Sequence, residues 1–355
     1  MNKIEFFGLA RQYRNLKDEL LDATDQAMRT GVLMNGEFTN KFETWLAVKT
    51  GAMYALTVHS GTQALEIIAR YHLEPYKMMF DIIPKIKIPN ISYVATLNAF
   101  LNTGWEVELV DTDKNGLIHH GKDELDDVAS SVCLVGLYGA NPKANTIFHS
   151  TIVDGAQHWL VADNIGDAMA ISFDPTKNLP STGNGGAIVT NDRQLWEFAY
   201  SYRSNGKPEH DVYGTNSRMS EQECAQILVR TKHLDAWQWR RKEIRHYYLD
   251  EFKNLPFNCL SRDHLVHADQ KFAIYSDKRD GLQMYLKEKG IETKIHYEKA
   301  LSEHPISMNL KRPDMMSTSI MLTRGLLSLP IYPELSDTEV EYIVEQVKRF
   351  FTEIC

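Results

Sequence analysis

Short β-rich runs alternate with helical patterns from residue 54 onward, and this alternation limits the fold more than any other feature. "YALTVHS" (54–60), "KIKIPN" (85–90), "WEVELVD" (105–111), "SVCLVGLYG" (131–139), "STIVDGA" (150–156) and "AMAISF" (168–173) read as strands. "GTQALEIIARYHL" (61–73) and "SYVATLNAFLNTG" (92–104) carry helical spacing between them. Two amphipathic patterns, 15–31 and 35–51, come first and stop at Gly31 and Gly51. Alternation of this kind implies an α/β fold with a largely parallel sheet covered by helices. "GGAIVTN" (185–191) reads as a strand returning antiparallel, so the expected sheet is mixed but mostly parallel.

The stretch 220–255 reads as one long helix, after which the composition changes character. "KRDGLQMYLKEKG" and "TEVEYIVEQVKRFF" read as further helices. With 355 residues, a large domain plus a smaller one is the expectation. The division is set at 1–240, a large domain with an N-terminal helical arm, and 241–355, a smaller α+β domain.

Charge and cysteine usage exclude several classes. The formal net charge is −8, and no long Lys/Arg run is present, so no nucleic-acid partner is expected. "RRKEIR" (240–245) lies in a helical pattern and reads as a solvated face. Cys133, Cys224, Cys259 and Cys355 form no CxxC pair and no zinc spacing, so they read as free thiols, with no metal site. No stretch approaches 18 apolar residues, and the N-terminus lacks a secretory pattern. The expectation is a cytoplasmic protein without a membrane span.

Four short pieces carry candidate chemistry. In "VHSGTQAL" (58–65) a strand ends, Ser60, Gly61 and Thr62 turn, and a helix begins. Free amides at a helix N-terminus and its positive dipole end suit a phosphate; the plainer reading is an ordinary helix cap. In "TIVDGAQHW" (151–159), Asp154 lies at the carboxyl end of a strand, where ligands of open α/β sheets gather, with Gln157 three residues on. Its carboxylate suits a protonated ring nitrogen; the plainer reading is a turn-forming aspartate. Tyr93, after a strand and at a helix start, either stacks on a flat ligand or packs in the core. In "SFDPTKNLPSTGNGGAIVTND" (172–192), Ser172 precedes Lys177 by five residues, beside a glycine-rich hairpin. Lys177 is either a solvated loop charge or an amine held for covalent chemistry. The four pieces together meet the needs of one cofactor, pyridoxal phosphate: anion donors, a stacking ring, an acid and an amine.

At this point the chain resembles the DegT-type sugar aminotransferases, fold type I pyridoxal phosphate enzymes. "LMNGEFTNKFETWLA", "SGTQAL", "IPNISYVATLNAFLNTGWEVELVD", "VDGAQ", the lysine stretch, "GTNSRMSE" (214–221) and "LSLPIYPELSDTEVEYIVEQVKRF" are each similar to a family motif. The resemblance implies that Lys177 is the Schiff-base lysine, with Asp154 on the pyridine nitrogen and Tyr93 on the ring face. It implies that Gln157 contacts the ring hydroxyl, and that Ser60, Gly61, Thr62 and Ser172 hold the phosphate. Asn216 is implied to reach the phosphate in the neighbouring subunit of a homodimer with shared active sites. The implied activity is transfer of an amino group from glutamate or glutamine to a keto-sugar, usually nucleotide-linked. Arg203, Lys207 and Arg218 are candidate cations for a sugar diphosphate, or solvated charges. The stretches "YGANPKAN", "QECAQILVRT" and "HYEKAL" depart from the family pattern. Two other functions stay open on sequence: a dehydrating or aromatising relative with the same cofactor, and a non-catalytic ligand sensor. Some dehydrating relatives carry histidine in place of the lysine; Lys177 argues against that branch.

Overall fold

The computed structural model describes residues 3–80, 83–118, 131–142, 149–260, 266–315 and 317–354. The chain opens with helices α1 (Leu9–Arg29) and α2 (Glu37–Thr50), followed by β1 (Tyr54–Val58) and α3 (Gly61–Phe80). Next come β2 (Lys85–Pro89), α4 (Val94–Thr103), β3 (Glu106–Val110), β4 (Ser131–Val135), β5 (Thr151–Asp154), β6 (Ala168–Ser172) and β7 (Gly186–Thr190). These strands form a seven-stranded sheet in the order β1-β7-β6-β5-β4-β2-β3. Only β7 runs against its neighbours, pairing antiparallel with both β1 and β6; the other pairs are parallel. The mixed, mostly parallel α/β sheet expected from the alternation is therefore present.

Strands β4, β6 and β7 are buried along their whole length. A sheet covered on both faces has no polar side, which is why these runs are continuously apolar. Successive side chains still alternate between two cores. Cys133 and Val135 join Leu56, Ile88 and Phe100 on one face. Val132 and Leu134 join Phe42, Leu46 and Phe173 on the other. Cys133, Cys224 and Cys259 are all buried and form no disulfide among the described residues; Cys355 lies outside the described residues.

After α5 (Arg193–Tyr202), the stretch expected as one helix is two: α6 (Glu221–Thr231) and α7 (Leu234–Glu251). Helix α6 begins with a reciprocal cap between Ser220 and Glu223. The apolar spacing carries across the break at 232–233, so the pattern alone hides it. Glu221, buried at the start of α6, accepts hydrogen bonds from the amides of Gly36, Phe38 and Thr39 (2.8–2.9 Å) and so fixes the start of α2.

The remaining elements are β8 (Asn258–Cys259), β9 (Phe272–Tyr275), α8 (Arg279–Glu288), α9 (Thr318–Gly325), β10 (Leu326–Leu329) and α10 (Asp337–Arg349). They build an antiparallel sheet, β10-β9-β8, with its own apolar cluster. Ile244 and Tyr248 of α7 belong to that cluster, so the expected division at 240/241 falls inside a helix. Ile4 belongs there too, bonded to Gly290 and Glu292 through its backbone. Among the described residues no helix is long and apolar enough to cross a membrane.

Candidate active site

The parallel strands all point their carboxyl ends to one edge of the large sheet, and a cleft of about 360 Å³ opens there. The sequence candidates Ser60, Gly61, Thr62, Tyr93, Asp154, Gln157, Ser172 and Lys177 all line it. They come from the ends of β1, β2, β5 and β6, which the sheet order brings together.

The floor is set by close backbone approach. In the register, Gly186 of β7 faces both Val58 of β1 and Ser172 of β6. The turn after β1 passes over Gly186 to reach Ser172. A Cβ on Gly186 would lie 2.3 Å from the Ser60 carbonyl carbon, and one on Gly61 would lie 2.8 Å from Ser172 Cβ. Only glycine fits at both places. The first amides of α3 are then arranged for an anion. Gln63 N–H donates to Ser60 Oγ (3.1 Å) and Ala64 N–H to Ser60 O (3.0 Å). The amides of Gly61 and Thr62 precede them at the positive end of the helix dipole. We expect Gly61→Ala to force Ser172 aside and to weaken binding of the pyridoxal phosphate that the sequence resemblance implies about tenfold or more, the usual effect of overpacking a tight contact. Titration of the apo protein with the cofactor checks this; unchanged affinity would place the phosphate elsewhere.

Asp154 ends β5 at the back of the cleft. Thr96 Oγ1 of α4 donates to its Oδ2 (2.7 Å), and Ala156 N–H donates to Oδ1 (3.1 Å). Ser92 Oγ stands 2.7 Å from Thr96 Oγ1 and supports it. Burial pushes the Asp154 carboxyl above the usual range; the Thr96 and Ala156 hydrogen bonds and the charge of Lys177 oppose that push. Lys177 is held in a pinned loop: its N–H donates to Asp174 O (2.9 Å), and the next side chain, Asn178, donates to Ala268 O (2.6 Å). Burial pushes the Lys177 amine below its usual value, against the pull of Asp154 and then Asp174. Lys177 is half-buried and lines the cleft, so it is not a freely solvated loop charge. Tyr93 is 58% exposed and faces Tyr297 across the cleft at 6.1 Å between ring centroids, which excludes core packing.

Gln157 spans the two units. Its Oε1 accepts from Tyr138 N–H (2.8 Å), and its Nε2 lies 3.4 Å from the Tyr297 hydroxyl. Three cleft residues come from the C-terminal unit and were not singled out from the sequence: Lys271, His296 and Tyr297. Lys294 and Ser328 exchange both backbone hydrogen bonds (3.2 and 2.8 Å), which carries His296 and Tyr297 along β10 to the cleft. Burial, then Lys271, Lys294 and Lys177, push His296 down to about 2, so its ring is neutral. Thr96 was also missed; its signal was a hydroxyl three residues after Tyr93 on the same helix face. A lysine directly before the apolar run "FAIY" was the available signal for Lys271.

The structure corrects one candidate. Arg203 is 1% exposed and lies under β1, where its Nη1 meets Glu43 Oε1 (2.8 Å), Thr57 O (2.5 Å) and Thr57 Oγ1 (3.2 Å). Its charge is already compensated inside the fold, so it does not serve as a substrate cation. Lys207 and Asn216 are exposed, and neither they nor Arg218 line the cleft of their own chain. Arg218 Nη2 donates to Asn216 Oδ1 (3.1 Å).

Fold and cleft define an α/β protein that sets a helix N-terminus beside a half-buried lysine and a buried carboxylate. A model of the DegT/DnrJ/EryC1/StrS aminotransferase family matches residues 14–138 and 161–348, and the chain belongs to this family. It is 29% identical over 373 residues to the "Pleiotropic regulatory protein" of Geobacillus stearothermophilus, covering 98% of each chain. It is also 29% identical over 378 residues to the dTDP-3-amino-3,6-dideoxy-alpha-D-galactopyranose transaminase of Aneurinibacillus thermoaerophilus, covering 98% of this chain and 99% of that one. In fold it resembles NtdA from Bacillus subtilis, solved with bound cofactor PMP, at a TM-score of 0.87 and 21% identity, over 99% of this chain and 86% of that one.

Proposed function

We propose that this aminotransferase uses pyridoxal phosphate to move an amino group from glutamate or glutamine to the carbonyl of a nucleotide-linked keto-sugar. The observation that carries the reading is the convergence of Lys177, Asp154 and the Ser60–Thr62 cradle on one cleft. The donor set fits the cofactor: helix amides and hydroxyls for a phosphate, a buried carboxylate for a ring nitrogen, and an amine of lowered basicity for an aldehyde. The transaminase from Aneurinibacillus thermoaerophilus, whose name specifies a dTDP-linked sugar, supports a nucleotide-linked acceptor.

When bound, pyridoxal phosphate supplies an aldehyde that bonds amines and a ring that withdraws electrons from them. Gly61, Thr62 and Ser172 bind its phosphate, and Gln157 and Tyr93 orient its ring. Asp154, steadied by Thr96, holds a proton on the ring nitrogen. Lys177 Nζ takes the proton from the donor's α-carbon and returns one during reaction of the acceptor, as general base and then acid. Tyr297 and His296 wall the cleft on the C-terminal side and limit water.

Incubation with glutamate and dTDP-, UDP- and GDP-linked keto-sugars, followed by mass spectrometry, tests the reading. One amino-sugar should form per 2-oxoglutarate released. Loss of water from the sugar without consumption of donor would favour the dehydrating relative. The regulatory name of the Geobacillus protein makes a ligand sensor the second reading; turnover of any keto-sugar removes it.

The reading includes a homodimer in which the exposed Asn216, with Lys207 and Arg218 beside it in sequence, completes the partner's site. The support is that Asn216 lies outside its own cleft. A two-fold axis makes such an exchange reciprocal. Mixed dimers of Lys177→Ala and Asn216→Ala chains then hold one site with both lesions and one with neither. Tag-purified mixed dimers should recover up to about half of normal activity if the sites are independent. Absence of rescue would assign Asn216 to its own chain.

A further inference from the structure

Lys271 takes no part in the chemistry set out above, yet its placement is unusual for a lysine. It is 5% exposed and lines the cleft directly before β9. Lysine is almost never buried to this degree unless it is paired. Its Nζ donates to a neutral acceptor, Gln270 Oε1 (2.6 Å), and no carboxylate among the described residues forms an ion pair with it. Both groups are anchored. Gln270 Nε2 donates to Thr176 O (2.8 Å), one residue before Lys177, and Lys271 N–H donates to Tyr138 O (3.1 Å). The amine is thus tied to the wall that faces the Lys177 loop.

From this geometry we infer that Lys271 is the counter-charge for the carboxylate that an amino-acid donor carries on its reacting carbon. The inference rests on the transaminase reading and deepens it. Every α-amino acid brings that carboxylate into the cleft together with its amine, and an uncompensated charge there is strongly disfavoured. Among the described residues the cleft lining contains two lysines and no arginine. Lys177 is committed to the reacting carbon, and His296 is neutral. Lys271 remains. The second substrate, a keto-sugar, carries no carboxylate at the reacting carbon, so a permanent charge would be left unpaired in that half of the cycle. Lys271 lessens this. Burial, then Lys177 and Arg241, push its amine well below the usual value against the pull of Asp174, so it holds its proton less firmly than a surface lysine. An entering carboxylate strengthens that hold. An arginine in its place could not discharge.

The test uses Lys271→Met holoenzyme with the two half-reactions followed separately by rapid mixing. The apparent Kd for the amino-acid donor should rise about 10–100-fold, the effect of losing one charge-assisted hydrogen bond. The loss on the keto-sugar side should be at least about tenfold smaller. A 2-methyl amino acid, which binds but has no α-hydrogen to lose, reads the same affinity without turnover and should weaken equally. Lys271→Arg should recover part of the donor affinity. Lys271→Gln, checked for cofactor content and melting temperature, serves as a second neutral variant should Lys271→Met fold poorly. Equal losses for donor and keto-sugar, or unchanged donor affinity in a neutral variant, overturn the inference. Wild-type protein inert toward every amino acid would instead overturn the transaminase reading.

Discussion

Lys177→Ala lowers transamination by about 10⁴-fold, the upper end for a positioned acid–base group, because the same amine is also the nucleophile. The loss should appear in kcat, since the Ser60–Thr62 cradle that holds the phosphate is untouched. The wild-type protein mixed with pyridoxal phosphate should turn yellow, and borohydride should then leave a phosphopyridoxyl label on Lys177 in a peptide map. The lowered basicity of the amine favours this: at neutral pH a larger share of Lys177 is uncharged than of a surface lysine. Surface lysines such as Lys207 should stay unlabelled. The instructive competitor is Lys271, the other cleft lysine, which is also pushed down by burial. A label on Lys271 in the wild type would exchange the roles of the two amines. A Lys177→Ala protein with near-normal turnover would remove the covalent role altogether.

The second largest effect is expected for Asp154→Asn, which keeps the shape and removes the charge. Turnover should fall about 10²–10³-fold, equivalent to about 3–4 kcal/mol of transition-state stabilisation. Cofactor affinity should change far less, because the cradle and Ser172 remain. The donor set around Asp154 sharpens the test. Thr96 Oγ1 and Ala156 N–H both donate to the carboxylate, so asparagine must give up one of these hydrogen bonds or turn its amide toward a donor. The cofactor absorbance should therefore shift as the ring nitrogen loses its proton. Normal turnover, with no spectral change, would mean that another group holds that nitrogen.

The lining of the cleft was legible where neighbouring residues in the chain form one local turn or strand end. Ser60, Gly61 and Thr62 form a turn whose function is local: strand end, glycine, helix start. The same holds for Asp154 at a strand end and for Lys177 in its loop. Each sits at a carboxyl end of a parallel strand, and the alternation of patterns already orients those ends together. The two cores were legible for a related reason, since a strand's period of two assigns Val132 and Cys133 to opposite faces without knowledge of the partners.

Residues whose role depends on distant partners were not legible in this way. Arg203 looked like a surface cation because its sequence neighbours are polar; its partners, Glu43 and Thr57, lie about 150 positions away and meet it only under β1. The break between α6 and α7 left no trace in the apolar spacing. Lys271, His296 and Tyr297 reach the cleft through the pairing of a separate sheet, with backbone bonds between Ser328 and Lys294 and from Lys271 N–H to Tyr138 O. The order of residues thus settled the sheet and the strand-end positions of Ser60–Thr62, Asp154 and Lys177, because local periodicity and turn chemistry encode them. The tertiary structure alone decided which charges are compensated inside the fold and which face the cleft, because burial and counter-charge are properties of contacts between segments remote in the chain.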